Sequence, residues 1–278
     1  MPELPEVETT CRGLADVLVG RRLLNITLRR KGMRIPFPPG LTSSMVGCTV
    51  SEITRYAKYI CVHLDNGYSA LAHLGMSGRM VITNSQVQPG IHDHVVFDSE
   101  NDVRIMFNDP RRFGLLTITK TAAIGNHKLL SHLGCDPLAY QFTPEFLSAR
   151  LKNRKLSIKA ALLDQKIVSG IGNIYACESL FRAGISPRRM AKSIGGNKVI
   201  SLVSSIKEVL TEAIKAGGSS LRNYAQPSGE LGYFSQNWQV YGREGLYCYC
   251  DKNGKRGIKV KRILQSGRST FYCARCQK

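Results

Sequence analysis

Acidic residues are scarce in this chain: 20 Asp and Glu stand against 39 Lys and Arg over 278 residues, a formal net charge of +19. Charged residues total only 21% and hydrophobic residues 43%. The basic excess therefore reflects missing acids rather than Lys-rich low complexity, which argues against disorder. Long apolar runs are also absent; none approaches the roughly 18 residues of a membrane span. No basic amphipathic helix or lipidation site favours an acidic membrane surface, so no membrane partner is expected. The N-terminus has neither the basic-then-apolar order of a secretory signal nor the Arg/Ser-rich, acid-poor character of a transit peptide. Internal repeats and long linkers are missing too. What is left is a globular chain long enough for two domains and a real core, with a charge that points to a polyanionic partner. Nothing in it requires an oligomer, and a monomer is expected.

The nine cysteines are unevenly placed. Cys11, Cys48, Cys61, Cys135 and Cys177 are scattered among apolar residues and read as reduced core thiols of a cytosolic protein. Cys248, Cys250, Cys273 and Cys276 are confined to the last 31 residues. Cys273-Ala274-Arg275-Cys276 is half of a zinc knuckle, and Cys248-Tyr249-Cys250 supplies two further thiols, with one intervening residue rather than the usual two to four. One structural Zn2+ per chain is expected there; a metal-free hairpin is the alternative.

Residues 1–133 combine one helix with many short strand-like runs. Pro5 and Glu6 suit a first helical turn; Val7, Leu14, Val17 and Leu18 form its apolar stripe, and Gly20 ends it. Strands are expected at Leu23–Arg29, Thr49–Tyr56, Tyr59–Leu64, Ser69–Leu74, His94–Phe97, Arg104–Phe107 and Leu115–Thr119. Their density, with turn signals such as Asp65-Asn66-Gly67, predicts a β-sandwich. Over 134–226 the period becomes helical: Ser157–Gln165, Asn173–Ala183 and a face from Val199 to Ile214 closed by Gly217-Gly218. A Gly-punctuated connection, Lys166–Gly172, joins the first two. Residues 227–278 are turn-rich, and from Tyr241 onward ten Lys and Arg face two acids. The class is α+β.

Four segments carry candidate chemistry. Removing Met1 from Met1-Pro2-Glu3-Leu4-Pro5-Glu6 exposes a secondary amine. An α-amino group titrates near about 7.7–8.0 against about 10.4 for Lys, so far more of it is unprotonated at neutral pH. Attack on an aldehydic carbon yields an iminium ion, with Glu3 and Glu6 one turn away as proton carriers. His73-Leu74-Gly75-Met76-Ser77-Gly78 and Asp109-Pro110-Arg111-Arg112-Phe113-Gly114 are two turns that pair an apolar wedge with arginine, the combination that unstacks a base step. Gly170-Ile171-Gly172-Asn173 opens a helix whose N–H groups suit a phosphate. Taken singly, each has an ordinary reading: a capped helix start, core Met76 and Phe113, an ion-paired Arg111, a solvated strand lysine at Lys58.

Together and in this order, the segments resemble the formamidopyrimidine-DNA glycosylases, base-excision enzymes for oxidised purines. The resemblance runs from Met1–Thr10 through Leu74–Gly78, Asp109–Gly114, Asp164-Gln165 with Gly170–Ala176, and Tyr241-Gly242-Arg243 to Gly267–Cys273. It implies an N-terminal β-sandwich with an N-terminal helix (1–133), a helical domain with a helix–two-turns–helix element (134–226) and a C-terminal β-hairpin zinc-finger module (227–278). It implies that mature Pro2 attacks C1′ of the damaged nucleotide, that Glu3 assists by proton transfer, and that β- and δ-elimination follow. Lys58 matches the family's lysine near the lesion. Met76, Arg111 and Phe113 match the trio that fills the gap left by the everted nucleotide. Lys159, Asn173, Tyr241 and Arg268 match phosphate clamps, with His73 a further candidate, and Gly217–Tyr224, including Ser219, Arg222 and Tyr224, resembles the loop over the everted base. The implied partner is double-stranded DNA with oxidised bases or abasic sites, in a bacterial cytoplasm and associated with the nucleoid.

Leu4, and Arg111 with Phe113, resemble the purine-specific branch; an endonuclease-VIII-like enzyme for oxidised pyrimidines and a non-catalytic damage binder are the alternatives. Three features depart from the family pattern. Cys-x-Cys with 22 residues before Cys273 implies an insertion within Asp251–Lys261, and with it an altered metal geometry or none. Ser235 and Trp238 replace the expected Gln and Leu near Phe234. The Cys250–Cys273 stretch is unusually basic and is expected to extend the phosphate contacts of the hairpin carrying Arg268.

Overall fold

The N-terminal helix forms over Leu4–Leu18 (α1) in the computed structural model, which describes residues 2–219, 232–251 and 256–278. Glu3 caps it, Pro5 occupies its first turn, and Gly20 at φ +79° turns the chain away. Its buried face, Val7, Cys11, Leu14 and Leu18, follows the helical period of the sequence.

Eight strands follow: β1 (Leu23–Leu28), β2 (Val50–Tyr56), β3 (Tyr59–Leu64), β4 (Tyr68–His73), β5 (Arg79–Thr83), β6 (Asp93–Ser99), β7 (Val103–Asn108) and β8 (Leu115–Lys120). They form two four-stranded antiparallel sheets, ordered β1-β6-β7-β5 and β2-β3-β4-β8. Inward residues of both sheets, among them Leu23, Ile60, Ala72, Val95, Phe107 and Leu116, join the α1 stripe in one apolar core. This is the expected β-sandwich. β5 is an addition to the sequence-based strands: it is an edge strand on which only Met80 is buried, so its alternation is faint.

The chain divides into two compact units, residues 1–132 with 214–235, and residues 133–213 with 236–278. The second contains α2 (Pro144–Leu151), α3 (Ile158–Leu163), α4 (Asn173–Arg182) and most of α5 (Asn197–Lys215), then the hairpin β9 (Lys261–Gln265) and β10 (Arg268–Tyr272). The sequence reading did not include α2, whose only buried residues are Leu147 and Leu151; its Thr143 cap, which accepts the Phe146 N–H at 3.2 Å, was the available signal. The helix–two-turns–helix connection is held by one side chain. Gln165 accepts the Gly170 N–H at 2.9 Å and donates to the Ile171 carbonyl at 2.9 Å.

All nine cysteines are present as thiols. Cys11, Cys61 and Cys177 are buried as expected, but Cys48 and Cys135 are only half-buried. Both lie in coil outside the strands and helices, where their thiols turn back on local carbonyls, of Ser44 at 3.7 Å and Asp136 at 3.4 Å.

Gly134 marks a close backbone approach in the second unit: its N–H donates to the Gln165 carbonyl at 2.7 Å, and a Cβ there would meet the Ile167 oxygen at 2.5 Å. Backbone cannot swing aside as a side chain can. Gly134→Ala is expected to cost about 1–3 kcal/mol, read as a lower urea midpoint at unchanged m-value.

Candidate active site

Pro2 is buried at the head of α1, followed by Glu3 and Glu6, each 2% exposed. Glu6 is the anchor of this terminus. Its Oε2 accepts the Glu3 N–H at 2.8 Å, and its Oε1 accepts the Ser219 N–H at 2.8 Å. Sequence spacing made Glu6 a proton carrier beside Glu3; in the structure its carboxylate holds backbone on both sides. Ser219 is itself buried and pairs with Tyr233, so the two ends of the segment between them meet beside the N-terminus. Arg222 and Tyr224 lie outside the described residues. Lys58 is not a solvated strand lysine: it is 8% exposed, in the two-residue turn between β2 and β3.

The two wedge turns lie against each other. Gly75 at φ +66° brings the Met76 turn so close to the Phe113 backbone that a Cβ would sit 2.4 Å from the Phe113 carbonyl carbon. The fully buried Asp109 joins them, accepting the Ser77 hydroxyl at 2.6 Å and the Gly114 N–H at 2.7 Å. Held this way, Met76 and Phe113 are 39% and 44% exposed, which overturns their ordinary reading as core residues. Arg111 is exposed, with its guanidinium 4.7 Å from the Phe113 ring centroid. With Arg34, His73 and Gly75, Met76 and Phe113 line an open pocket of about 400 Å³. His73 Nδ1 accepts the Gly75 N–H at 2.9 Å, which requires an unprotonated nitrogen. Burial, then Lys58 and Arg34, push its pKa down to about 4.

In the second unit, Lys159 is 1% exposed and does not present its ammonium on the surface as a phosphate clamp would. It donates to the Ser269 carbonyl at 3.1 Å and the Thr270 hydroxyl at 2.6 Å, both on β10. Asn173, at the start of α4, donates to the same Ser269 carbonyl at 2.9 Å. Both side chains therefore hold the hairpin whose first β10 residue, Arg268, is exposed. Tyr241 packs between Trp238 and Phe271, with ring centroids 5.0 and 5.1 Å away. The Trp238 that departs from the family pattern thus has an aromatic partner.

Glu178 on α4, which no sequence signal marked, accepts the N–H groups of Gln239, Val240 and Tyr241 at 2.8–3.0 Å. Burial raises its pKa above the ordinary carboxylate value, against the pull of those donors and Arg182. Cys248, Cys250, Cys273 and Cys276 bring their sulfurs within 4.8 Å of one another, with Cys248–Cys276 and Cys250–Cys273 both at 3.9 Å. A tetrahedral zinc with Zn–S of about 2.3 Å sets its sulfurs about 3.8 Å apart, so the Cys-x-Cys spacing does not spoil the donor set. Within the described part of the insertion, the buried Asp251 accepts the N–H groups of Arg256 and Ile258.

A β-sandwich headed by a proline among buried acids, followed by a helix–two-turns–helix unit and a four-thiol hairpin, defines a class of DNA-repair enzymes. The formamidopyrimidine-DNA glycosylase N-terminal domain model matches residues 1–116, and the H2TH domain model of the same enzymes matches 133–225. The formamidopyrimidine-DNA glycosylase of Roseobacter denitrificans is 50% identical over the whole of both chains. The solved MutM (Fpg) protein of Thermus thermophilus aligns with a TM-score of 0.87 at 37% identity, over 99% of this chain and 98% of that one. The Lactococcus lactis Fpg in complex with abasic-site DNA aligns at 0.90 and 30% identity over 99% of each chain. That protein bound to DNA containing an oxidized pyrimidine aligns at 0.89 and 30% over the whole of each. This chain belongs to the formamidopyrimidine-DNA glycosylase family.

The His73 geometry has a pH signature. A histidine whose folded pKa lies below its unfolded value contributes stability above about pH 6.5 that is lost as pH falls through about 4. His73→Asn, whose Oδ1 can accept the Gly75 N–H without titrating, is expected to flatten the pH dependence of Tm over this window. The wild-type loss should exceed the variant's by on the order of 1–3 kcal/mol.

Proposed function

We propose that this chain is a bifunctional DNA glycosylase and abasic-site lyase that excises oxidised purines, 8-oxoguanine and formamidopyrimidines, from duplex DNA. The observation that carries it is the buried terminus: Pro2 and Glu3 sit at the head of α1, with Glu6 tying the Glu3 backbone to Ser219. In this reading removal of Met1 frees the Pro2 amine, which attacks C1′ of the damaged nucleotide. Glu3 transfers the proton needed for ring opening and for departure of the base. The resulting iminium acidifies the neighbouring sugar protons, so the 3′ and then the 5′ phosphate leave by β- and δ-elimination, and hydrolysis returns the amine. Lys58 acts beside the lesion. Met76 and Phe113 fill the vacated stack and Arg111 faces the orphaned base, preferably cytosine.

Arg268 grips phosphate directly, with His73 as an uncharged donor, while Lys159, Asn173 and Tyr241 act on DNA through the hairpin they support. Cys248, Cys250, Cys273 and Cys276 would hold one zinc ion, which would cross-link the Cys248–Cys250 segment to the Cys273–Cys276 knuckle that follows the hairpin and supply no step of the reaction. The described basic residues of the insertion, Arg256, Lys259 and Lys261, extend the electrostatic footprint. Functionally the chain reads as modules 1–133, 134–226 and 227–278, working as a monomer in a bacterial cytoplasm at the nucleoid. Among the described residues no helix is long and apolar enough to cross a membrane.

The decisive experiment is borohydride trapping on a duplex with 8-oxoguanine opposite cytosine, after intact mass has established loss of Met1. A covalent adduct with cleavage on both sides of the lesion is expected. DNA binding without an adduct would mean a passive damage binder. An oxidized-pyrimidine duplex run in parallel tests the second reading, which the Lactococcus lactis complex favours; faster excision there would reassign the lesion class.

Two measurements test the finger. Metal analysis should return one zinc per chain, and a value well below one rejects a filled site. Arg268→Ala should weaken binding on any sequence and lower the slope of log K against log salt by about 1.

A further inference from the structure

A guanidinium joins the N-terminal helix to the Lys58 turn. Arg55, on β2, donates from Nε to Glu8 Oε2 of α1 at 2.8 Å, and from a terminal nitrogen to the Ala57 carbonyl at 3.2 Å. That carbonyl belongs to the peptide immediately before Lys58. Arg12 completes the set, donating to Glu8 Oε1 at 2.9 Å from the next turn of α1. The Arg55 side chain is 9% exposed, whereas that of Arg12 is 65% exposed, so the Arg55 contact is the protected one.

The turn needs such a hold. Tyr56 pairs with Tyr59, leaving Ala57 and Lys58 as a two-residue connection, and Ala57 is a buried non-glycine residue at φ +55°. A side-chain-bearing residue rarely keeps that conformation unless its surroundings impose it. The Arg55 contact to its carbonyl is one of those impositions.

We propose that the Glu8–Arg55 pair is a positioning device for catalysis, setting the Lys58 turn against the helix that begins at Pro2. The proposal rests on the reading of Pro2 as nucleophile and Lys58 as its neighbour at the lesion. A misplacement of about 1 Å between such groups costs on the order of 100-fold in rate. A simple staple between α1 and β2 would need only the ion pair; positioning also needs the bond to the Ala57 carbonyl.

The two are separated by Arg55→Lys. Lysine keeps a charge for Glu8 but has no fork with which to serve carboxylate and carbonyl together. In the full-length protein, single-turnover strand cleavage of an abasic-site duplex should fall about 10-fold or more in R55K. Tm should stay within about 2 °C and the Kd for the duplex within about two-fold, margins that ordinary surface-scale changes respect. Glu8→Gln should show the same split, because its amide holds the guanidinium less firmly. Wild-type rates in R55K at unchanged Tm would overturn the proposal, and so would a rate loss that only tracks loss of folding or of DNA affinity. Borohydride trapping of the wild type is the control. No wild-type adduct would remove the Pro2 reading itself, whereas a normal wild-type adduct with full R55K activity removes only the positioning role.

Discussion

As the proposed nucleophile, Pro2 freed of Met1 would be tethered covalently on one side only, so everything else that fixes it must come from non-covalent contacts. Here the main contact is a buried carboxylate. Glu6 lies one turn into α1 and reaches back to the Glu3 N–H while its second oxygen takes the Ser219 N–H. Charge-assisted bonds of this kind are about twice as strong as neutral ones. They also lock orientation, because a carboxylate with both oxygens engaged has little rotational freedom left. The terminus, the helix and the Ser219–Tyr233 bridge thereby meet around one side chain.

The same device recurs at three further loops. Asp109 ties the Met76 turn to the Phe113 turn, Glu178 gathers three successive N–H groups ahead of the finger, and Asp251 closes the described part of the insertion. In a chain with 20 acids against 39 bases, these four are placed inside, on backbone donors. An exposed carboxylate beside a phosphate would repel it at contact; a buried one commits its oxygens to hydrogen-bond donors and shapes the loops. The acids supply geometry and the bases supply attraction.

Much of this was legible in the sequence where the signal is periodic or punctuated. α1, α4, α5 and seven of the eight sandwich strands were marked by apolar spacing and by Gly, Pro and Asn turns, with ends within a residue or two. The edge strand β5 and the short α2 were not, since each buries too few residues to leave a period. The site residues came from motif resemblance, and their surroundings did not. Ser77 and Asp109 are 32 positions apart and Glu178 and Tyr241 63 apart, separations at which no spacing rule operates. Lys159 shows the cost: a basic residue in a motif reads as a phosphate clamp, yet it is buried under the hairpin.

That burial also bears on how the net charge of +19 is used. Long-range attraction follows the summed charge, whereas contact with a phosphate needs a charge at the surface. Lys159 is enclosed under β10 and Arg55 is matched to Glu8, so both are committed to structure, and His73, kept neutral by burial and by Lys58 and Arg34, is not part of that total. Arg111, Arg256, Lys259, Lys261, Arg262 and Arg268 are exposed. The net total therefore does not distinguish charges that can reach phosphate from charges committed to structure. A basic chain of this family needs both populations, because a polyanion drawn in by the field is useful only if the loops that meet it already hold their shape.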